Sequence, residues 1–350
     1  MPKKVVVAMS GGVDSSVAAA LLKRAGFNVV GVFMKFWLAR RSPAKRDEGG
    51  VGYNRCCSLE AQDGAREVSR ILGIPFYVFN FEKEFKKRIV DPFLEEHKLG
   101  LTPNPCTVCN KEVKFGLLLE KALALGADYV ATGHYVRLKN NRLLMAKDKN
   151  KDQSYFLWRL SQKQLKRVLF PVGNYQKTET RNLARKFKLP VAETPESQEI
   201  CFVPDDINDF LKRYFKPKKG AMVDKEGKVL GEHQGLVFYT IGQRKGIGLP
   251  GGPYWVKDRD FKKNILIVTK NQKDLLKKEL FFRGANWLLG KPPKFPLKAA
   301  AKIRSRSKLV PAIIYKNRRV VFKQPQRAIT PGQSVVFYKG QELLGGGVIS

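Results

Sequence analysis

The most constraining feature of this sequence is an apolar run near its start that leads into two glycines and a helix-like segment. Val5–Met9 is apolar throughout, as is typical of a strand buried on both faces of a parallel sheet. Ser10–Ser16 (SGGVDSS) follows directly, and then Ser15–Ala25, rich in Ala and Leu, ends at Gly26, a common helix stop. Together they predict the first unit of an α/β fold.

The same alternation of strand and helix patterns continues to about residue 135. Further strands are predicted over Val29–Phe33, Pro75–Phe79 and Tyr129–Thr132, and helices over Ser58–Leu72, capped by Ser58, and Lys111–Leu125. Strand–helix–strand units cross over with a right-handed turn, so we expect a doubly wound parallel sheet. Ligands of such sheets bind beyond the carboxyl ends of the strands, at the switch point.

The pattern changes after about residue 212, where short β-like runs are separated by Pro and Gly. These runs are Leu236–Ile241, Ile265–Thr269, Ala312–Tyr315, Val320–Phe322, Ser334–Tyr338 and Gly346–Ile349. They predict a small mixed central domain and a C-terminal β-barrel. A length of 350 residues suits two or three domains, and we expect them at 1–212, 213–283 and 284–350.

The charge balance favours a polyanionic partner, with RNA as the leading candidate. The net charge is +35, and residues 210–350 alone carry 31 basic and only 8 acidic side chains. A basic protein that binds nothing is the alternative. Five cysteines, no signal-peptide pattern and no long apolar stretch predict a cytoplasmic protein that does not enter membranes.

The loop Ser10–Ser16 has the chemistry of a phosphate site. Its glycines let backbone N–H groups approach an anion, and the helix N-terminus adds partial positive charge. Asp14 suits either Mg²⁺ bound beside phosphates or an N-cap. The loop matches neither a Walker A site nor G-x-G-x-x-G, and a plain Gly-Gly turn remains the alternative.

Cys106 and Cys109 form a C-x-x-C pair just before the predicted helix at Lys111. A helix N-terminus with Lys111 and Lys114 nearby would lower the pKa of Cys109 and favour its thiolate. Together with Cys201, these thiols fit three interpretations: inert core residues, a zinc site completed by another Cys or a His, or a site that handles sulfur. Cys56 and Cys57 are expected to be structural, with a redox or sulfur-delivery role as the alternative.

A family resemblance narrows these choices. Ser-Gly-Gly-x-Asp-Ser resembles the pyrophosphate loop of the N-type ATP pyrophosphatases, and nearly the whole chain resembles the tRNA-specific 2-thiouridylases. The matching stretches are Ala8–Ser16, Asn54–Asp63, Thr102–Phe115, Ala131–Tyr135, Lys151–Leu157, Ser197–Val203, Gly231–Gly246 and Thr330–Tyr338. The resemblance implies an ATP-dependent enzyme that adenylates the C2 oxygen of the wobble uridine of tRNA and displaces AMP with sulfur.

The resemblance also implies roles for individual residues. Cys109 would be the nucleophile and Cys201 the carrier of a persulfide. The positions matching the family's ATP contacts are Ala8, Met9, Ser10, Gly11, Gly12, Val13, Asp14, Ser15, Met34 and Gly133. Those matching target-base contacts are Asn104, Pro105 and Cys106, and those matching tRNA contacts are His134, Lys151, Asp152, Gln153, Arg304, Ser305 and Gln333. The implied partners are tRNA and a sulfur donor such as a cysteine desulfurase or a relay protein, with a monomer as the expected state.

One departure from the family leaves the sulfur chemistry open. Much-studied members carry an Asp, assigned as general acid/base, at the position of Cys106. Cys106, Cys109 and Cys201 could instead hold three irons of a 4Fe–4S cluster and leave the fourth iron open for hydrosulfide, so the cluster and the persulfide relay both remain as sulfur sources. The alternative function is an enzyme of the same superfamily that thiolates another tRNA base through such a cluster. Two further classes remain: an enzyme that amidates a small metabolite, and a zinc-stabilised RNA-binding protein without catalysis.

Overall fold

The computed structural model describes residues 1–39, 58–194, 200–203 and 206–350. In its N-terminal part, the strands in chain order are β1 (Lys4–Ala8), β2 (Asn28–Lys35), β3 (Phe76–Asn80), β4 (Tyr129–Thr132), β5 (Val136–Lys139), β6 (Arg142–Met145) and β7 (Val168–Leu169). Five of them form a parallel sheet in the order β3-β2-β1-β4-β7, and β5 and β6 form a hairpin. The chain order thus reverses at β1, as in a doubly wound sheet.

Helices cover both faces of the parallel sheet. They are α1 (Val13–Arg24), α2 (Leu59–Ile71), α3 (Glu82–Phe85), α4 (Asp91–Lys98), α5 (Pro105–Cys109), α6 (Leu118–Ala124), α7 (Gln162–Leu165), α8 (Lys177–Lys186) and α9 (Ile207–Leu211). Val5 and Val7 of β1 belong to one apolar cluster, with α1, α2 and α8, whereas Val6 and Ala8 belong to another, with α6. Because side chains alternate along a strand, a continuous apolar run supplies both layers.

The helix that carries the C-x-x-C pair begins six residues earlier than predicted. The prediction placed its start at Lys111, whereas α5 starts at Pro105 and continues through π-helical turns over Asn110–Leu117 into α6. Proline is favoured in the first helical turn because that turn's N–H groups have no partner within the helix. Cys106 therefore lies in the first turn, and Cys109 lies a turn further in, away from the helix N-terminus.

The central part is a small four-stranded sheet. Its strands are β8 (Gly220–Val223), β9 (Val229–His233), β10 (Trp255–Asp260) and β11 (Ile265–Thr269), in the order β10-β11-β8-β9. The strand-like interpretation of Leu236–Ile241 was wrong, because Leu236–Phe238 forms a 3₁₀ turn. Leu236 and Phe238 are buried, and burial alone does not separate a short helical run from a strand.

The C-terminal part is a closed six-stranded barrel, so the predicted fold class is confirmed. Its strands are β12 (Leu276–Trp287), β13 (Leu297–Lys302), β14 (Val310–Ile314), β15 (Arg319–Arg327), β16 (Ser334–Lys339) and β17 (Glu342–Ile349), closed by pairing of β12 with β17. The expected boundary between residues 283 and 284 falls inside β12. We therefore propose that the barrel domain begins at Leu276.

The barrel and the N-terminal part share a hydrophobic core. Along β16, Val335 and Phe337 point into the barrel, whereas Val336 and Tyr338 join a cluster with Trp158 of the N-terminal part. The indole Nε1 of Trp158 donates to Ser334 Oγ at 3.0 Å. The hairpin β5–β6 also extends the barrel sheet, because β6 pairs with the start of β17. The barrel thus packs against the N-terminal part through both its side chains and its strands.

Some expectations concern residues that the structure does not describe. Cys56 and Cys57 lie outside the described residues, as does the first half of the Ser197–Val203 stretch. Within the described part of the chain, every helix is too short or too polar to cross a membrane.

Candidate active site

The loop after β1 is shaped by two glycines. Gly11 has a φ of +73°, and a Cβ there would lie 2.2 Å from the carbonyl oxygen of Ala61, so only glycine fits. Gly12 occupies the N-cap position of α1. Ser15 Oγ donates to the Gly12 carbonyl at 3.1 Å and accepts from the Ser10 N–H at 3.2 Å. These bonds curl the loop over the helix N-terminus, where anions bind favourably.

A cavity of about 800 Å³ opens above this loop at the carboxyl ends of the parallel strands. This is a size typical of cavities for small-molecule ligands. It is lined by all ten residues expected to contact ATP: Ala8, Met9, Ser10, Gly11, Gly12, Val13, Asp14, Ser15, Met34 and Gly133. The structure therefore brings this whole set together at the predicted edge of the sheet.

Asp14 makes a contact that the sequence analysis missed. Its carboxylate accepts from Lys177 Nζ at 2.7 and 2.8 Å and from the Tyr135 hydroxyl at 2.8 Å. The N-cap alternative was wrong, because Asp14 lies inside the first turn and Gly12 is the cap. Lys177 is buried and lines the same cavity. A signal for it exists in the sequence: a cation in the first turn of a helix opposes the helix dipole and needs an anionic partner.

Cys109 is a buried neutral thiol, contrary to the expected thiolate. Burial raises its pKa to about 12, the Lys114 ammonium opposes that shift, and neighbouring Cys106 adds to it. The expectation was wrong because it rested on a helix start at Lys111; Cys109 instead lies inside the helix and in the apolar core. A thiolate buried in the apolar core is strongly disfavoured, and the Lys114 ammonium offsets only part of that cost.

Cys201 lines the cavity together with the pyrophosphate loop, and it packs against the same apolar cluster that contains Cys109. Cys106, Cys109 and Cys201 all carry thiols outside any disulfide. Among the described residues, no group of three or more Cys, His, Asp or Glu side chains is arranged to hold a metal ion. The three thiols considered as possible cluster ligands therefore do not form a ligand set in this structure.

The burial of Cys109 predicts slow alkylation. At pH 8 we expect iodoacetamide to modify Cys109 in the native protein about 1,000-fold more slowly than in the unfolded chain, because the thiolate is the reactive species and the pKa is about three units higher. Cys201, on the cavity wall, should react well before it. Mass spectrometry of peptides after timed quenching measures both rates. Equal rates for the two thiols would contradict the buried neutral state of Cys109.

Three residues expected to contact tRNA line the same cavity: His134, Lys151 and Gln153. The imidazole of His134 is buried, and its Nδ1 lies 2.7 Å from the Thr132 hydroxyl. Burial holds the pKa of His134 well below its usual value, with Lys114 lowering it further, so the ring is neutral. Gln153 Oε1 accepts from the Tyr135 N–H at 2.9 Å, which leaves its NH₂ group for other partners.

The other residues expected to contact tRNA make contacts within the protein in this structure. The side chain of Asp152 is only 1% exposed and accepts from backbone N–H groups and a hydroxyl within its own loop. Arg304 donates to carbonyls at the junction of the central sheet and the barrel. Gln333 Nε2 donates to the Thr102 carbonyl at 3.0 Å, and Ser305 is half-buried in the turn after β13. Asn104 and Pro105 line a second, smaller cavity.

Family models match three successive parts of the chain. One described as a tRNA methyl transferase HUP domain matches residues 3–205, and one described as a tRNA methyl transferase PRC-barrel domain matches residues 208–270. A third, described as an aminomethyltransferase beta-barrel domain, matches residues 277–349.

Relatives extend the match over the full length. The tRNA-specific 2-thiouridylase MnmA 2 of Thermoanaerobacter sp. (strain X514) is 49% identical over 360 residues, covering 99% of this chain and 97% of that protein. The tRNA-specific 2-thiouridylase MnmA of Carboxydothermus hydrogenoformans is 48% identical, with coverage of 99% and 97%. That of Clostridium acetobutylicum is 47% identical, with coverage of 100% of both chains. With the pyrophosphate loop and the three successive domains, these matches establish that the chain belongs to the tRNA-specific 2-thiouridylase family.

Proposed function

We propose that the protein is an ATP-dependent sulfurtransferase that converts the wobble uridine of tRNA to 2-thiouridine. The observation that carries this proposal is a single cavity lined both by the pyrophosphate loop and by the thiol of Cys201. A base activated by the nucleotide would there meet the group that brings sulfur. The full-length similarity to proteins named tRNA-specific 2-thiouridylase supports the same substrate and reaction.

The first half-reaction is adenylation. ATP lies on Ser10–Ser15 with its phosphates at the N-terminus of α1, and the uridine C2 oxygen attacks the α-phosphorus and releases pyrophosphate. Lys177, held by Asp14, places a positive charge beside the phosphates. Mg²⁺ bound with ATP would be held by the Asp14 carboxylate and would supply positive charge that stabilises the leaving pyrophosphate.

The second half-reaction brings sulfur to C2. A persulfide donor transfers its outer sulfur to Cys201, which leaves the donor as a thiol. The Cys109 thiol first loses its proton, and its thiolate attacks the inner sulfur of the Cys201 persulfide to form a disulfide. The sulfide released from the persulfide takes up the proton. That sulfide attacks C2 and displaces AMP, so the C2 oxygen departs on AMP. An external thiol then reduces the disulfide.

The family models are described by methyl transfer, whereas the relatives are named for thiolation. The site favours thiolation. Adenylation followed by sulfur attack requires an ATP site beside a thiol, and the cavity has both the pyrophosphate loop and Cys201. Methyl transfer to uridine needs no pyrophosphate release. The two chemistries also leave different products, AMP with pyrophosphate in one case and neither in the other.

The proposed substrate explains the basic half of the chain. Residues 210–350, with 31 basic and 8 acidic side chains, carry the larger share of the net positive charge, which suits tRNA phosphates. The wobble base leaves its stack to enter the cavity, whose wall carries His134, Lys151 and Gln153. Asn104, Pro105 and Cys106 do not line this cavity, and their proposed contact with the base rests on the family resemblance. A cysteine desulfurase or a relay protein would supply the persulfide. We propose a monomer that acts in the cytoplasm.

A reconstituted reaction tests this function. Purified protein, ATP with Mg²⁺, wobble-uridine tRNA and a persulfide donor are expected to yield 2-thiouridine, with one AMP and one pyrophosphate per thiolated base. Omission of any one component should abolish the product. Formation of a methylated base, or ATP turnover that is indifferent to tRNA, would overturn the proposal.

A further inference from the structure

The connection between α4 and α5 is held by the other two domains. Gly100 accepts a hydrogen bond at 2.7 Å from Arg259 of the central sheet. Two residues on, the Thr102 N–H donates to the Pro331 carbonyl of the barrel at 2.9 Å, and the Thr102 carbonyl accepts from Gln333 at 3.0 Å. This connection leads directly into the helix that carries Cys106 and Cys109. Its path is therefore set by contacts from outside the N-terminal domain.

Arg259 is an unusual residue to find at this junction. One terminal nitrogen of its guanidinium donates to Gly100, and the other donates to the Tyr239 carbonyl at 2.6 Å. Among the described residues, its buried Nε has no hydrogen-bond partner. Burial lowers the pKa of Arg259 to about 10, against the opposing effect of Asp258. Burial of a cation against two neutral carbonyls costs free energy. Apolar side chains could hold the two domains together without that cost.

Gly100 is closely packed against the central domain. Its φ is +74°, and a Cβ there would lie 2.4 Å from the ring of Phe261. The same ring lies under the Arg259 guanidinium, 5.5 Å from its central carbon. Gly100 thus packs against the ring of Phe261 and accepts a hydrogen bond from Arg259. A shift of the central sheet would move the start of α5.

We propose that Arg259 is a positioning residue that fixes the start of α5 through its hydrogen bond to the Gly100 carbonyl. It ties the central sheet to the segment that presents the target-base residue Asn104 and the thiols of Cys106 and Cys109. Arg259 acts through the Gly100 backbone and does not line the ATP cavity. The inference rests on the proposed thiolation, for which it supplies an alignment device.

Replacement of Arg259 by Ala tests the inference. We expect kcat for tRNA thiolation to fall about 100-fold, the loss that a misplacement of about 1 Å brings, while KM for ATP changes less than about twofold. Arg259→Lys should recover part of kcat, because an ammonium retains the charge but does not span both carbonyls. Lys262→Ala is the matched control: this exposed cation of the same sheet is expected to leave kcat unchanged.

Amide hydrogen exchange gives a second readout that does not depend on activity. In Arg259→Ala, the amides of Leu101 and Thr102 should exchange at least about tenfold faster, while those of β10 and β11 keep their protection. Unchanged kcat with unchanged exchange would overturn the inference, and so would loss of protection throughout the central sheet, which would mark a structural role. A wild-type protein that fails to thiolate tRNA would instead refute the proposed function and leave the exchange result to judge the positioning role.

Discussion

Replacement of Asp14 by Asn is expected to lower tRNA-dependent pyrophosphate release by about 1,000-fold while tRNA affinity changes less than about twofold. Asp14 holds Lys177 Nζ at 2.7 and 2.8 Å on the wall of the ATP cavity. Asparagine has a similar shape but no charge, so Lys177 loses the anion that orients it, and the Mg²⁺ that accompanies ATP loses a carboxylate ligand. Pyrophosphate release and tRNA binding by filter retention measure the two quantities separately.

Two further variants separate chemistry from folding. Glu179 lies in the same helix as Lys177, is 45% exposed and pairs with Lys147. Glu179→Gln removes this acidic side chain and should leave pyrophosphate release within about twofold. Asp14→Asn combined with Lys177→Met removes both charges and should regain thermal stability without regaining activity. Normal turnover by Asp14→Asn would refute the assignment of the loop to ATP.

Replacement of Cys201 by Ser is expected to abolish 2-thiouridine formation, to below about 0.1% of wild type, because a hydroxyl cannot carry a persulfide sulfur. Adenylation needs no thiol, so tRNA-dependent release of pyrophosphate should persist within about threefold. Mass spectrometry of tRNA nucleosides measures the first quantity, and a pyrophosphate assay measures the second. Thiolation by Cys201→Ser at the wild-type rate would exclude this cysteine as the sulfur carrier.

Cys106 supplies the matched comparison, because it is a thiol on the same helix as Cys109 with no place in the persulfide relay. Cys106→Asp should keep most of the thiolation activity. Iron and acid-labile sulfide, measured in protein purified without oxygen, should stay well below one per chain. About four of each per chain, with activity lost in Cys106→Asp, would replace the relay by an iron–sulfur mechanism.

The elements that could be predicted from the sequence are those set by local pattern. The apolar run of β1, the two glycines and the Ala-rich α1 lie within the first 25 residues, and their periodicity and turn chemistry specify them without distant contacts. The ten expected ATP contacts line one cavity for the same reason, since most of them belong to this unit. Met34 and Gly133 join them because parallel strands end at one edge.

The features that were missed depend on partners far along the chain. The pKa of Cys109 is set by burial among side chains of other elements, which no local pattern reveals. The pairing of Asp14 with Lys177 spans 163 residues. The pairing of β6 with β17 likewise joins Leu144 to Glu342. The early start of α5 is different, because its signal is local. Asn104 and Pro105 were interpreted as base contacts rather than as a helix start.

The core shared between Trp158 and the barrel has a consequence for how the chain is made. Trp158 bonds to Ser334, 176 residues later, and packs with Tyr338 and Leu343 near the C-terminus. At about 5–20 residues per second, synthesis of that distance takes roughly 10–35 s. During that time the nascent catalytic half exposes a large aromatic surface. Its final packing therefore waits for release of the last strand, and chaperone contact during translation should concentrate on this surface.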